Sequence, residues 1–211
     1  EIQAEGVVRN VGAFLRFLTQ AGHESGNILN FSSIARETGT SSATVKEYFQ
    51  ILEDTMIGFL LFSYNKSKRK RLATHPKFYL FDNGVQRALS KQLSMPLDPG
   101  TPNYGRAFES WVIAETIRIC ETLQKDFEFS YYRTEGGAEI DLVIETPKGK
   151  VYAIEIKSGD SPKGILRGFS SLSEHVKNLI CICVCEAPRA RKQDTVQILP
   201  WKDYFQLLVN E

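Results

Sequence analysis

The fold is decided by one stretch of the sequence, Glu139-Ile-Asp-Leu-Val-Ile-Glu-Thr-Pro-Lys-Gly-Lys-Val-Tyr-Ala-Ile-Glu-Ile-Lys157. Two runs rich in β-branched residues flank the turn signal Pro147-Lys-Gly149, so we predict an antiparallel β-hairpin. A turn centred on this signal places Asp141 directly opposite Glu155. The same register places Glu139 opposite Lys157. Directly opposed residues share a face of the hairpin, with Cβ atoms about 4.5–5.5 Å apart.

The two opposed carboxylates define a candidate site. Asp141 and Glu155 repel each other unless positive charge lies between them, and Lys157 supplies part of it. Mg²⁺ or Mn²⁺ would supply more, because two carboxylates plus waters suit such ions. Charge alternation by itself favours a solvated face with surface ion pairs of little value, and a one-residue slip would separate the acids. The intervening residues are expected to face a core: Ile140, Leu142, Ile144, Ile154 and Ile156.

The segments around the hairpin predict an α/β fold. A long helix from Tyr104 to about Gln124 precedes it, and a helix from about Pro162 to His175 follows it. The order α-β-β-β-α-β with one crossover helix indicates a mixed sheet of four or five strands flanked by helices. Strands are expected at Phe127–Arg133, Ala138–Glu145, Lys150–Lys157, Leu179–Cys185 and Val196–Leu199, with a helical tail at Trp201–Leu208.

The N-terminal half predicts an α-rich winged helix. A helix is expected over residues 6–22, with Gly22 as its stop, and two shorter helices joined by a turn at Gly39 match the helix-turn-helix pattern. Strands are expected at Ile57–Tyr64 and Lys77–Phe81. The basic run between them would form the tip of the wing: Lys66, Lys68, Arg69, Lys70 and Arg71.

The proline-rich segment from Met95 to Pro102 is the best linker candidate. We place the domain boundary there, with the N-terminal helix and winged helix in residues 1–98 and the α/β domain in residues 99–211. The chain opens on Glu1 rather than Met and starts directly into a helical pattern. We therefore expect a fragment of a longer protein.

Composition narrows the classes of function. The net charge is +1, so attraction to nucleic acid must come from a local patch. No run approaches the roughly 18 apolar residues of a membrane span, and we expect no membrane partner. Cys181, Cys183 and Cys185 lack the spacing of a zinc site and are expected as free thiols in a core strand. Free thiols of this kind fit a reducing, cytoplasmic compartment.

Several motifs carry a resemblance to known families. Asp141, followed by Glu155-Ile-Lys157 at the end of a strand, resembles the PD-(D/E)xK nuclease motif. Glu109, on the preceding helix, matches that superfamily's additional acidic position. From about Gly6 to Leu208, the chain also resembles the C-terminal region of a prokaryotic, archaeal-type AAA+ ATPase family. The segments that carry this second resemblance are Leu29–Arg36, Ser42–Lys46, Lys77–Asp82, Gly105–Glu109 and Glu139–Asp141.

The resemblance implies a restriction-endonuclease-like fold placed after a winged helix, with an AAA+ ATPase domain upstream in the same protein. It implies that Asp141 and Glu155 hold the metal ion, and that Glu109 coordinates it directly or through water. Lys157 would orient the attacking water and stabilise charge on the phosphate. No G-x-x-x-x-G-K-[ST] motif occurs, so ATP would bind only through a domain absent from this chain.

Two functions follow as hypotheses. The first is a Mg²⁺-dependent phosphodiesterase that cuts DNA. The second is a non-catalytic DNA- or protein-binding accessory domain that couples the ATPase to its partner. DNA contacts are expected from the wing cations and from Lys163 and Arg167 on the helix after Lys157. Solvated surface charge is the alternative at both places. The oligomeric state stays open, with a homo-oligomer as one alternative.

Overall fold

The computed structural model describes residues 8, 10–72, 74–160, 164 and 166–211. Over these residues the protein is mixed α/β, with N-terminal helices followed by a mixed sheet. The chain divides into two compact units. The first comprises the chain up to Leu60 together with His75–Pro96, and the second comprises Leu61–Thr74 and Leu97–Glu211. The second unit thus includes a piece of chain that lies well before the predicted boundary at residue 98.

The elements have the following bounds. The helices are α1 (Val11–Glu24), α2 (Phe31–Thr38), α3 (Ser42–Asp54), α4 (Lys68–Leu72), α5 (Asn83–Leu89), α6 (Pro102–Thr122), α7 (Leu166–Ser173) and α8 (Trp201–Asn210). The strands are β1 (Gly58–Leu61), β2 (Lys77–Leu80), β3 (Glu128–Arg133), β4 (Glu139–Glu145), β5 (Val151–Lys157), β6 (Leu179–Cys185), β7 (Arg191–Gln193) and β8 (Val196–Pro200). None of the helices in the described part of the chain has the length and hydropathy of a membrane span.

The first unit contains the two short helices that the sequence predicts. The side chain of Asn30 accepts the N–H of Ser33 and begins α2, and Ser41 accepts the N–H of Thr44 and begins α3. These contacts satisfy backbone donors that lack a partner within the helix. Gly39, in the left-handed region, ends α2. The predicted pair of helices joined at Gly39 is confirmed.

Gly22 does not end the first helix, so that prediction is wrong. α1 continues to Glu24, and Gly22 lies buried within it. A Cβ at this position would lie 2.8 Å from the backbone nitrogen of Ser90 and 2.9 Å from Cβ of Leu89. Gly22 is therefore required by the close approach of the chain at the end of α5, rather than by a helix stop.

The basic run is not the loop tip that the sequence predicts. Residues 68–72 form the short helix α4, and the run belongs to the second unit. The chain just before it pairs with β3, because Tyr131 donates its N–H to the carbonyl of Phe62 and the N–H of Tyr64 donates to the carbonyl of Tyr131. Arg71 then holds this segment against the sheet: one guanidinium nitrogen lies 2.6 Å from Glu145 Oε2 and 3.2 Å from Glu128 Oε2.

Replacing Arg71 with alanine is expected to lower the free energy of unfolding by about 2 kcal/mol, because it leaves Glu145 partly buried without its cation. The Arg71 side chain is only 11% exposed. Chemical denaturation of the full chain measures the loss. Arg69→Ala is the matched control, since Arg69 is exposed on the same short helix and should change stability by no more than about 0.5 kcal/mol. Equal stability of both variants would contradict this role of Arg71.

The second unit is built on a mixed sheet. Among the described residues it has six strands in the order β3-β4-β5-β6-β8-β7. β3, β4 and β5 are antiparallel neighbours, β5, β6 and β8 run parallel, and β7 is antiparallel to β8. The prediction of four or five strands missed β7, because this edge strand is short, charged and exposed. α7 provides the predicted crossover between β5 and β6.

The core of the second unit confirms the expected burial pattern. Cys181, Cys183 and Cys185 are buried free thiols on β6. They pack with Phe169 and Leu172 of α7 in one apolar cluster. The alternate hairpin residues expected in a core are also buried: Ile140, Leu142, Ile144, Ile154 and Ile156. Val143 and Ala153, on the opposite face, are buried as well, so both faces of the hairpin are covered.

Candidate functional site

The hairpin of β4 and β5 has the predicted register. Leu142 pairs with Ile154, and the pairing continues to Glu145 with Val151 at the turn. The backbone pairing that starts at the turn ends at Leu142, so it stops just short of Asp141. Beyond it, the side chain of Asp141 replaces a backbone acceptor, because the N–H of Ile156 donates to Asp141 Oδ2 over 2.7 Å. This hydrogen bond fixes the Asp141 carboxylate at the mouth of the hairpin.

Asp141, Glu155 and Lys157 converge at this mouth. Lys157 Nζ lies 2.9 Å from Glu155 Oε2 and 4.0 Å from Asp141 Oδ2. The side chains of Asp141 and Glu155 are only 11% and 9% exposed, whereas the Lys157 side chain is 41% exposed. Two nearly buried carboxylates thus share one ammonium group that reaches solvent.

The protonation of the cluster follows from this crowding. Burial, and then the neighbouring charge of Asp141, raise the pKa of Glu155 to about 8. For Lys157, burial works against the charged form, but the charges of Asp141 and Glu155 outweigh it and raise the pKa of Lys157 to about 12. At neutral pH the cluster therefore holds one proton on its carboxylates and keeps Lys157 charged.

The cluster lines an open cleft of about 200 Å³. Gly168 of α7 forms one wall, and a Cβ there would lie 2.0 Å from the carbonyl oxygen of Glu139. Glycine is needed because α7 crosses the start of β4 too closely for any side chain. Arg167, next to it, donates to the carbonyl of Gly136. The complete lining is Gly137, Glu139, Asp141, Glu155, Lys157, Gly164, Arg167 and Gly168.

Glu109 is the predicted metal ligand that does not line the cleft. It lies half-buried on α6, and its charge helps to raise the pKa of Lys157. Across the described residues, no group of three or more His, Cys, Asp or Glu side chains is placed to hold a metal ion. The geometry therefore brings together two of the three predicted metal ligands.

The donor set of the cleft still fits a hard divalent cation. Mg²⁺ usually keeps several waters and binds proteins through one or two carboxylates. Asp141 and Glu155 provide that number, and their crowding leaves one of them protonated when only Lys157 balances them. A divalent cation would replace that proton. Asp141 and Glu155 are the residues that would hold it.

The predicted nucleic-acid contacts lie in two different places. Arg167 is exposed at the cleft, whereas Lys163 lies outside the described residues. Of the basic run, Lys66, Arg69 and Lys70 are exposed, and the side chain of Lys68 is not among those described.

The basic run is separated from the cleft by part of β4. Its anchor, Arg71, binds Glu145 at the end of β4 remote from Glu139. At about 3.3 Å per residue, Glu145 lies about 13 Å along the strand from Asp141 and about 20 Å from Glu139. Arg71 also forms ion pairs with Glu128 and Glu145, so its charge is already balanced.

Glu139 is a cleft residue to which the sequence pattern assigns no role. The pattern places it opposite Lys157, and the structure shows it lining the cleft. The alternation of side chains along a strand could have identified Glu139, because residues two apart share a face and Asp141 follows Glu139 by two positions. The glycines of the cleft carried no comparable signal, because their role depends on the path of α7.

Comparison with protein families divides the chain near residue 100, as the fold does apart from the segment Leu61–Thr74. Residues 1–95 match a family described as Domain of unknown function (DUF8612). Residues 104–204 match a second family, Domain of unknown function (DUF4143). Asp141, Glu155 and Lys157 all lie within the second match. No curated protein matches the chain.

Proposed function

We propose that this chain is a metal-dependent nuclease module that cleaves phosphodiester bonds of DNA. One observation carries the proposal: two nearly buried carboxylates and one charged ammonium group meet in a single open cleft. Clusters of titratable groups with strongly displaced pKa values are typical of functional sites. Here burial and the charge of Asp141 raise the pKa of Glu155 to about 8, and the group that carries this shift opens onto a cleft.

The proposed roles follow from the position of each group. Bound by Asp141 and Glu155, Mg²⁺ or Mn²⁺ would lower the pKa of a water molecule and neutralise phosphate charge. The N–H of Ile156 keeps Asp141 oriented for this purpose. Lys157 stays protonated at neutral pH, so it orients the attacking water and stabilises the negative charge that develops on the phosphate, rather than acting as a base.

The proposal also includes two fold assignments, a restriction-endonuclease-like fold for the second unit and a winged helix for the first. An antiparallel hairpin followed by a crossover helix and a parallel strand supports a restriction-endonuclease-like fold. The two capped helices followed by a two-stranded sheet support a winged helix in the first unit. The proposed link to an upstream AAA+ ATPase rests on the sequence resemblance.

The direct test is cleavage of circular plasmid DNA by the purified chain. We expect nicking with Mn²⁺ or Mg²⁺, none with EDTA, and none by Asp141→Asn, which keeps the size of the side chain but removes its charge. Asp126→Asn is the matched control, because Asp126 is exposed in the same unit, and it should cleave like the wild type. Equal cleavage by the wild type and Asp141→Asn would reveal a contaminating nuclease and overturn the proposal.

A second candidate function is binding of DNA without cleavage. The observation that favours it is the exposed guanidinium group of Arg167 at the cleft, which can contact a phosphate without a metal ion. This function predicts DNA binding that is indifferent to EDTA, and no rise of the melting temperature with Mn²⁺. The nuclease proposal predicts such a rise, because a ligand that binds only the folded state stabilises it.

A further inference from the structure

An exposed basic segment lies at the far edge of the sheet. Arg189, Arg191 and Lys192 stand within four residues at the start of β7, and all three are exposed. We refer to these three residues as the basic edge. β7 is the last strand of the sheet, so the basic edge faces solvent along one side.

The register of the sheet aligns the basic edge with the cleft. Arg191 pairs with Ile198, Ile198 pairs with Cys183, and Cys183 pairs with Glu155. Paired residues of neighbouring strands share a face, so Arg191 lies in the row of Glu155 and on the same face of the sheet. Three inter-strand spacings of about 4.8 Å separate them, which is about 14 Å.

A hydrogen bond connects the basic edge to the chain that leaves the cleft. Arg191 Nη2 donates to the carbonyl oxygen of Asp160 over 2.8 Å, and Asp160 follows Lys157 by three positions. Arg191 has further N–H donors, and Arg189 and Lys192 extend the positive charge outward. The acidic Glu186 nearby already accepts a hydrogen bond from the hydroxyl of Tyr104.

We propose that the basic edge binds backbone phosphates of double-stranded DNA whose cleaved phosphate lies in the cleft. This inference rests on the proposed nuclease function and names its substrate as a duplex. Successive phosphates on each strand of a duplex advance by about 3.4 Å along its axis, so a duplex bound at the cleft presents further phosphates within about 14 Å of it.

The test is the salt dependence of duplex binding by the 211-residue chain. The variant Arg189→Gln/Lys192→Gln removes two charges and leaves the bond between Arg191 and Asp160 intact. Fluorescence anisotropy of a short labelled duplex, in EDTA to prevent cleavage, gives the affinity between 50 and 200 mM salt. The slope of log K against log salt should become shallower by about 2, since each phosphate contact contributes about 0.9. Single-stranded DNA of equal length should show a smaller change.

A matched control separates a local contact from net charge. Lys148→Gln/Lys177→Gln removes the same charge from exposed residues of the same unit, at the opposite end of β5 and β6. Its slope should remain that of the wild type. An unchanged slope in the basic-edge variant, or an equal change in the control, overturns the inference, while metal-dependent cleavage by the wild type leaves the nuclease proposal standing. A wild type that neither binds nor cuts duplex DNA overturns both.

Discussion

Replacing Lys157 with methionine is expected to lower Mn²⁺-dependent DNA cleavage by about 10²–10³-fold, the usual cost of removing one group that stabilises transition-state charge. Methionine keeps much of the length and apolar contact of the side chain. Only the ammonium group, 2.9 Å from Glu155 and 4.0 Å from Asp141, is lost. Single-turnover cleavage of a labelled duplex measures the chemical step apart from product release.

The comparison with Asp141→Asn distinguishes two ways of losing activity. Lys157→Met should still show a Mn²⁺-induced rise of the melting temperature at pH 8, because both carboxylates remain. Asp141→Asn should lose both cleavage and the rise. Lys148→Met, on the exposed hairpin turn, controls for the loss of one lysine. Cleavage by Lys157→Met at the wild-type rate would remove Lys157 from the proposed chemistry.

Replacing Glu155 with glutamine is expected to stabilise the metal-free protein above pH 8. The pKa of Glu155 rises from an ordinary 4.5 to about 8 on folding, so the folded state holds a proton that the unfolded state has released. Stability linked to that proton is complete below about pH 4.5 and is lost as the pH rises through 8. Glutamine mimics the protonated acid and still offers Lys157 an oxygen.

The size of this effect can be measured by thermal unfolding in a chelator. At pH 9, Glu155→Gln should gain on the order of 2 kcal/mol over the wild type, or about 4–8 °C for a chain of this length. At pH 5 the two proteins should differ little. Adding Mn²⁺ should raise the melting temperature of the wild type and leave that of the variant unchanged. A variant that is less stable than the wild type at pH 9 would contradict the charge balance described for the cleft.

The hairpin and its site were predictable because their determinants are local. The turn signal Pro147-Lys-Gly149 and the alternation of side chains define which residues of β4 and β5 can pair. The pairing from Leu142–Ile154 to the turn is as predicted. Lys157, two residues beyond Glu155 on the same strand, had to share its face.

Only the tertiary structure decided which distant residues join this local site. Glu109 matches a sequence motif, but its place on α6 leaves it outside the cleft. Arg71 reads as a free cation, yet β3 and β4 supply acids that pair with it. Arg191 reads as part of a charged surface, and three strand pairings bring it into the row of Glu155. The sequence by itself determined the hairpin, its register and the cluster of Asp141, Glu155 and Lys157, because local spacing and turn chemistry specify them. Contacts between remote segments depend on how helices and strands pack, and no short sequence pattern encodes that packing.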